Sequence, residues 1–404
     1  MKRRNLLKNL TVLPLVGIAG ASLNNEVNAK SSVKQNLFKE LGIRTFINAA
    51  GTYTFMTGSL MRPEVIEAIQ STANEFCLLD EVQDKVGEKI AALVRSESAV
   101  VTAGCFSAMT LGLAGVLTGM DPKKVEQLPH IEGTGMKSEV IIQKGHNVGY
   151  SQALTNTGCK IVFIETIQDL ENAINSKTAL LWFLNIQSDK GTITHEEWVA
   201  AGKKHNIPTM IDMAADVPPL SNLFKFNDMG FDLVCVSGGK AIRGPQSAGI
   251  LMGKKNLIAA ARLSMPPRGS NIGRGMKINK EEIIGMYVAL DLYFKYDHDK
   301  EWKVWETKVK TIQKAINQIK GIKTEIKVPT LGNVTPTIHV TWDKSIVRIT
   351  TLKLQENLRK GSPSIEIVNG GDEHISITTW VMKKGEDVLV AKRLKEVLSN
   401  AVYS

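Results

Sequence analysis

Six short apolar runs, at 98–102, 140–142, 160–164, 178–183, 209–212 and 233–236, are separated by stretches with helical spacing at 108–117, 148–155, 167–174 and 196–205. Short strands that alternate with helices of this length predict an α/β domain, a parallel sheet covered on both faces. A sheet of that kind binds its ligands at the carboxyl ends of its strands. Residues just beyond those ends are therefore the first candidates for chemistry.

The run at 233–236 leads into Ser237-Gly238-Gly239-Lys240, with further glycines at Gly244 and Gly249 and a second apolar run at 250–252. A lysine set in a glycine-permissive turn behind a buried strand can be held away from bulk water and act as a Schiff-base nucleophile. Alone, such a lysine would be no more than a solvated corner residue. Upstream, however, the run at 209–212 ends in Asp212. A carboxylate at one strand end and an amine at another are the pair that pyridoxal phosphate requires, the first for its ring nitrogen and the second for its aldehyde carbon. Ala214, two residues on, is counted with the same cofactor wall.

The run at 98–102 is followed by Ala103-Gly104-Cys105-Phe106-Ser107 and then helical spacing. Free N–H groups and the positive dipole end of a helix converge at such a turn and favour an anion. Gly104, Cys105 and Phe106 are accordingly read as a cradle for the cofactor phosphate, with Ser107 as a side-chain donor. His146 also follows a strand end, where its ring could stack on the cofactor. The chain lacks G-x-x-x-x-G-K-[ST], and Gly238-Gly239-Lys240 is not followed by serine or threonine, which disfavours a nucleotide-binding module.

The 404 residues suffice for one large domain and a smaller one, and 43% apolar with 22% charged residues is the balance of a globular enzyme. Residues 1–29 have the layout of an export signal: a basic start, an apolar stretch too short to span a bilayer, and Val27-Asn28-Ala29 as a cleavage site. Arg3-Arg4 within it resembles a twin-arginine signal, so a periplasmic location is expected. That segment carries +3 of the formal net charge of +10. The remaining basic excess suits an anionic cofactor and substrate and does not by itself indicate nucleic acid. Cys77, Cys105, Cys159 and Cys235 show no metal or disulfide spacing, and no cysteine near the cleavage site suggests a lipid anchor.

The expected organisation is a signal at 1–29, an N-terminal arm at 30–60, a cofactor-binding large domain at 61–265 and a small α+β domain at 266–404. The last boundary rests on the turn-rich stretch from Pro266 to Gly275, after which helices at 281–293 and 302–319 precede strands at 323–328, 337–342, 364–368 and 375–379.

With these residues in place, the chain resembles the fold type I pyridoxal phosphate enzymes, the aspartate aminotransferase-like class with a mainly parallel sheet. Within that class it resembles the selenocysteine synthase (L-seryl-tRNA selenium transferase) family, in the branch that contains D-glucosaminate-6-phosphate ammonia-lyase. The resemblance runs through INAAGTYT (47–54), LDEVQDKVGEKIA (79–91), TAGCFSAMTLGLAG (102–115), MIDMAAD (210–216), SGGKAIRGPQSAGIL (237–251) and GRGMKINKEEIIG (273–285). It implies Lys240 as the Schiff-base lysine, Asp212 as the partner of the ring nitrogen and Ser237 as a phosphate ligand. Arg274 and Lys277 fall in a loop that the resemblance brings to cofactor or substrate across a homodimer or larger homo-oligomer. Arg268 and Arg243 are further candidates for a substrate carboxylate. Selenocysteine synthases carry an N-terminal tRNA-binding region, which this chain shows no room for between signal and arm, so no nucleic acid partner is expected.

The activity expected is an α,β-elimination that converts a small amino acid or amino sugar acid to a 2-keto acid and ammonia. Racemase, transaminase and aldolase chemistry would use the same lysine and aspartate. A non-catalytic exported binding protein would need neither.

Overall fold

The structure is a computed structural model that describes residues 36–402. The export signal expected at 1–29 lies outside the described residues. Two compact units divide between Thr45 and Phe46. Within the first, the helix Leu37–Glu40 is capped by Asn36, whose side chain accepts from the Lys39 N–H.

In the second unit a two-residue strand, β1 (Ile47–Asn48), precedes the main sheet. That sheet comprises β2 (Ser98–Thr102), β3 (Glu139–Gln143), β4 (Lys160–Ile164), β5 (Thr178–Leu184), β6 (Thr209–Asp212), β7 (Leu233–Ser237) and β8 (Gly249–Gly253), in spatial order 2-8-7-6-5-3-4. All neighbours run parallel except β8, which is antiparallel to both β2 and β7. Every residue of β5 is buried, as an uninterrupted apolar strand in mid-sheet should be. The edge strand β4 is largely uncovered.

The helix Gly104–Thr118 is apolar on all sides and buried almost throughout, lying directly on the sheet. A Cβ at Gly112 would meet Leu233 and Leu251 of β7 and β8 at 3.2 Å, so the absence of a side chain there sets the approach. This helix begins at Gly104, four residues before the stretch expected from spacing alone. The supposed turn is thus the first turn of the helix itself. The helices Pro122–Gln127, Asn222–Met229 and Lys255–Leu263 are not among those expected from spacing; each is short, of nine residues or fewer.

Toward the C-terminus come β9 (Ile322–Lys327), β10 (Thr337–Trp342), β11 (Ile365–Glu366), β12 (Val368–Asn369) and β13 (Ile375–Thr378). The order β12-β13-β10-β9 forms an antiparallel sheet, while β11 pairs in parallel with β1. The single strand expected at 364–368 is therefore two, serving different sheets. A core of Val309, Ile312, Ile338, Val340, Ile375 and Leu394, among others, fills this part. The helix Lys280–Lys295 packs against the helices Pro63–Thr72 and Leu79–Leu93 beside the main sheet.

The register Thr102↔Gly249↔Ser237 aligns the ends of β2 and β7 with the start of β8. It also brings two backbones together: a Cβ on Gly249 would stand 2.6 Å from the Cys105 nitrogen. Backbone at that distance cannot give way as a side-chain tip can. Gly249→Ala is expected to cost about 1–3 kcal/mol, the range of overpacking in a close-packed core; an unchanged denaturation midpoint would show that the contact is not tight.

Candidate active site

At the carboxyl ends of β6 and β7 opens a cleft of about 510 Å³. Asp212, Ala214 and Lys240 line it, together with the segment Ala50–Thr54, the stretch around Asn333 and residues of β10 and β13. Residues from both ends of the sequence thus wall one space.

Asp212 is the last residue of β6, in register with Cys235 of β7, and is only 3% exposed. Its Oδ1 accepts the Ala214 N–H at 2.9 Å and the Cys105 thiol at 3.4 Å. Burial pushes the carboxyl above the usual carboxylate range, opposed by the Ala214 N–H, the charge of Lys240 and the Cys105 thiol. Burial, reinforced by Asp212, likewise pushes the Cys105 and Cys235 thiols well up, so both stay protonated beside the acid. Oδ2 receives no hydrogen bond among the described residues.

Lys240 sits in the turn between β7 and β8, half-buried at the cleft. Its backbone is pinned from two sides. The Ser59 hydroxyl donates to the Lys240 carbonyl at 2.6 Å, and the Arg243 N–H donates to the same oxygen at 3.0 Å. Ser59 also binds the Gly239 carbonyl through both its N–H and its hydroxyl. A Cβ on Gly58 would lie 2.6 Å from that carbonyl, which together with φ of +68° restricts the position to glycine.

The proposed phosphate cradle is the N-terminus of the helix Gly104–Thr118, which has no side-chain cap. Gly104 has φ of +85°. The Ser107 hydroxyl donates back to the Ala103 carbonyl at 2.8 Å. Through the Cys105–Asp212 contact this helix end adjoins the cleft, and Ser237 stands two strands away in register.

Other residues singled out by sequence lie elsewhere. His146 is fully buried, its ring edge-on to Phe183 at 4.5 Å between centroids, and its Nδ1 accepts the Leu184 N–H at 3.2 Å. Burial, then the neighbouring His195, brings its pKa down to about 4, so it stays neutral and acts as a packed acceptor outside the cleft lining. The reason is local: the turn after β3 folds inward against β5. Arg268 forks onto Asp80 at 3.2 and 3.4 Å. Arg274 and Lys277 are exposed and outside the cleft lining. Arg243 donates to the carbonyl of Trp380, a lining residue, at 2.9 Å.

Asp216, a second acid four residues past the end of β6, is not among the candidates that strand ends single out, although it stands in the 210–216 stretch. It is 2% exposed, lines the cleft and carries a carboxyl pushed up to about 6, by burial first and by Asp212 in addition. Asn185 and the Gly332 N–H lie close enough to oppose that shift, but neither makes a hydrogen bond of normal geometry to it. His195 Nε2 is 2.8 Å from Asn185 Oδ1. With the imidazole kept neutral by burial, its pKa near 4, it donates there and turns the amide nitrogen away from His195.

These residues fit pyridoxal phosphate. Asp212 lines the cleft and its Oδ2 is without a hydrogen bond among the described residues, which leaves it for a protonated ring nitrogen; Lys240 supplies the primary amine, and the bare helix N-terminus suits the phosphate. Among the described residues no cluster of three His, Cys, Asp or Glu could hold a metal ion.

Residues 134–344 match the aminotransferase class-V family. The chain is 28% identical to D-glucosaminate-6-phosphate ammonia lyase of Salmonella typhimurium over 382 residues, 91% of this chain and 99% of that one. It is also 28% identical to L-seryl-tRNA(Sec) selenium transferase of Aquifex aeolicus, over 49% of each chain. Among solved structures, D-glucosaminate-6-phosphate ammonia-lyase superposes with a TM-score of 0.80 at 27% identity, covering 91% of this chain and 99% of that one.

The folded Asp216 carboxyl titrates near 6 against an ordinary 3.8. The folded chain therefore holds this proton more tightly than the unfolded chain, and stability falls as pH rises from about 4 to about 6, on the order of 3 kcal/mol in all. Asp216→Asn should raise the denaturation midpoint at pH 7–8 and flatten its dependence between pH 4 and 6. Equal pH profiles for the two proteins would contradict the burial of this charge.

Proposed function

The chain belongs to the aminotransferase class-V family, and from that premise we propose that it is a pyridoxal phosphate-dependent ammonia-lyase acting on an amino sugar acid. Its fold is the type I fold of these enzymes, with a mainly parallel central sheet. The observation that carries the reading is the convergence of Lys240 and Asp212 on one cleft at adjacent strand ends. The similarity to a lyase of that substrate class along nearly the whole described chain supports it.

Pyridoxal phosphate, when bound, supplies an electron sink for the charge that develops at the substrate Cα. Lys240 would hold its aldehyde carbon, and its free amine would serve as the base for the Cα proton. The pinned turn fixes the lysine backbone while leaving its side chain free for both tasks. Asp212 would stabilise a proton on the ring nitrogen. A cation there offsets the burial that otherwise disfavours the ionised carboxylate. Loss of the Cα proton and the β-hydroxyl, then addition of water and release of ammonia, gives a 2-keto acid. Aromatic and aliphatic walls, Trp380, Leu184 and Ile186, limit competing water.

A homodimer in which Arg274 and Lys277 reach the neighbouring site fits their exposure and their turn-rich loop. Export fits the basic, apolar and small-residue order of residues 1–29.

Purified protein should show the visible absorbance of a lysine-linked cofactor and release ammonia and keto acid from D-glucosaminate or its 6-phosphate. Lys240→Ala should lose both signals; a band that survives unchanged would remove Lys240 from this role. Asp212→Asn should retain cofactor while turnover drops by about 10²–10³, the loss typical of a removed electrostatic stabiliser. Turnover within a factor of two of wild type would leave Asp212 without that role.

A further inference from the structure

Strand alternation puts Asp212 and Cys235 on one face of the main sheet, with Met210 and Leu233, while Ile211 and Val234 face the other way. The helix Gly104–Thr118 packs on the first of these faces, its Met109 and Leu111 in one core with Met210 and Leu233. The first turn of that helix therefore meets the carboxyl end of β6, and Cys105 is the side chain it brings there. The strand end is itself held. The Met213 N–H donates to the Cys235 carbonyl at 3.0 Å, which carries the β6–β7 ladder one residue past Asp212.

Cys105 is 7% exposed, and its thiol donates to Oδ1 of Asp212 at 3.4 Å. The same oxygen accepts the Ala214 N–H at 2.9 Å. Both donors thus fall on one end of the carboxylate, one from the helix and one from the segment after β6. The group cannot rotate about its bond to the chain without giving up one of them. Burial first, and Asp212 in addition, push the Cys105 thiol well up, so it keeps the proton it donates.

We propose that Cys105 is a positioning residue whose thiol fixes Asp212 by one oxygen and so leaves the other set for the ring nitrogen of the cofactor. The proposal rests on the reading of Asp212 as the ring-nitrogen partner and adds the residue that orients it. Cys105 serves both ends of the cofactor. Its backbone N–H belongs to the helix N-terminus that suits the phosphate, and its side chain reaches the acid. The spacing between phosphate site and acid is thereby set through a single residue.

The full chain, stripped of cofactor and titrated with pyridoxal phosphate, tests this by a double-mutant cycle. Cys105→Ala should weaken binding by about tenfold, the scale of one hydrogen bond to a charged group. Asp212→Asn should weaken it at least as much while still loading at saturation. In the Asp212→Asn background Cys105→Ala should cost no more than about twofold further, because two residues that act through one contact are not additive. Cys105→Ser, a donor on a shorter arm, should recover about half of the loss in binding free energy. Unchanged affinity in Cys105→Ala overturns the proposal. A tenfold loss that persists without Asp212, or that serine does not reduce, overturns it as well and makes Cys105 a packing residue. Affinity and turnover that Asp212→Asn leaves unchanged would instead remove the ring-nitrogen reading, and the proposal with it.

Discussion

The Asp212 carboxylate sits at the end of a buried strand, with an apolar sheet behind it and thiols on two sides. An isolated carboxylate in such surroundings would take up a proton rather than stay charged. What opposes this is a small set of fixed neighbours: the Ala214 N–H, the Cys105 thiol and the charge of Lys240. A cation in the cleft beside Asp212 would complete the arrangement, and a protonated pyridine nitrogen is such a cation. The acid and the cofactor would thus stabilise each other's charged forms.

That pairing requires strand ends, a helix N-terminus and a lysine turn to meet closely, and glycine makes the meeting possible. Gly249 lets β8 pass against the first turn of the helix at Gly104, and Gly58 lets the Ser59 loop clamp the carbonyls of the lysine turn. A methyl group at either place would collide with backbone. The placement of the Lys240 turn and of the helix end beside Asp212 therefore depends on residues that have no side chain at all.

The cleft divides its work along the chain. The main sheet supplies the amine and the acid, while Asn333 and Thr378 come from the C-terminal residues and Thr52 from the stretch after β1. Changes in those outer walls can alter which substrate is read without touching the lysine or the aspartate. One fold can serve many substrates in this way.

Much of the architecture was legible because it is written in local pattern. The apolar runs at 98–102, 160–164 and 209–212 coincide with β2, β4 and β6. Lys240 and Asp212 could be picked out because both follow buried runs, and strand ends are where such sheets place ligands. What local pattern could not decide was which way a side chain turns after its strand. His146 follows a strand end just as Asp212 does, yet the turn folds it into the core against Phe183. Nor could it show that Thr52, Asp216, Asn333 and Thr378, scattered over more than three hundred residues, would line one cleft with Asp212 and Lys240. Periodicity along the chain records which residues are buried; only the packing of distant segments decides what the buried polar groups face.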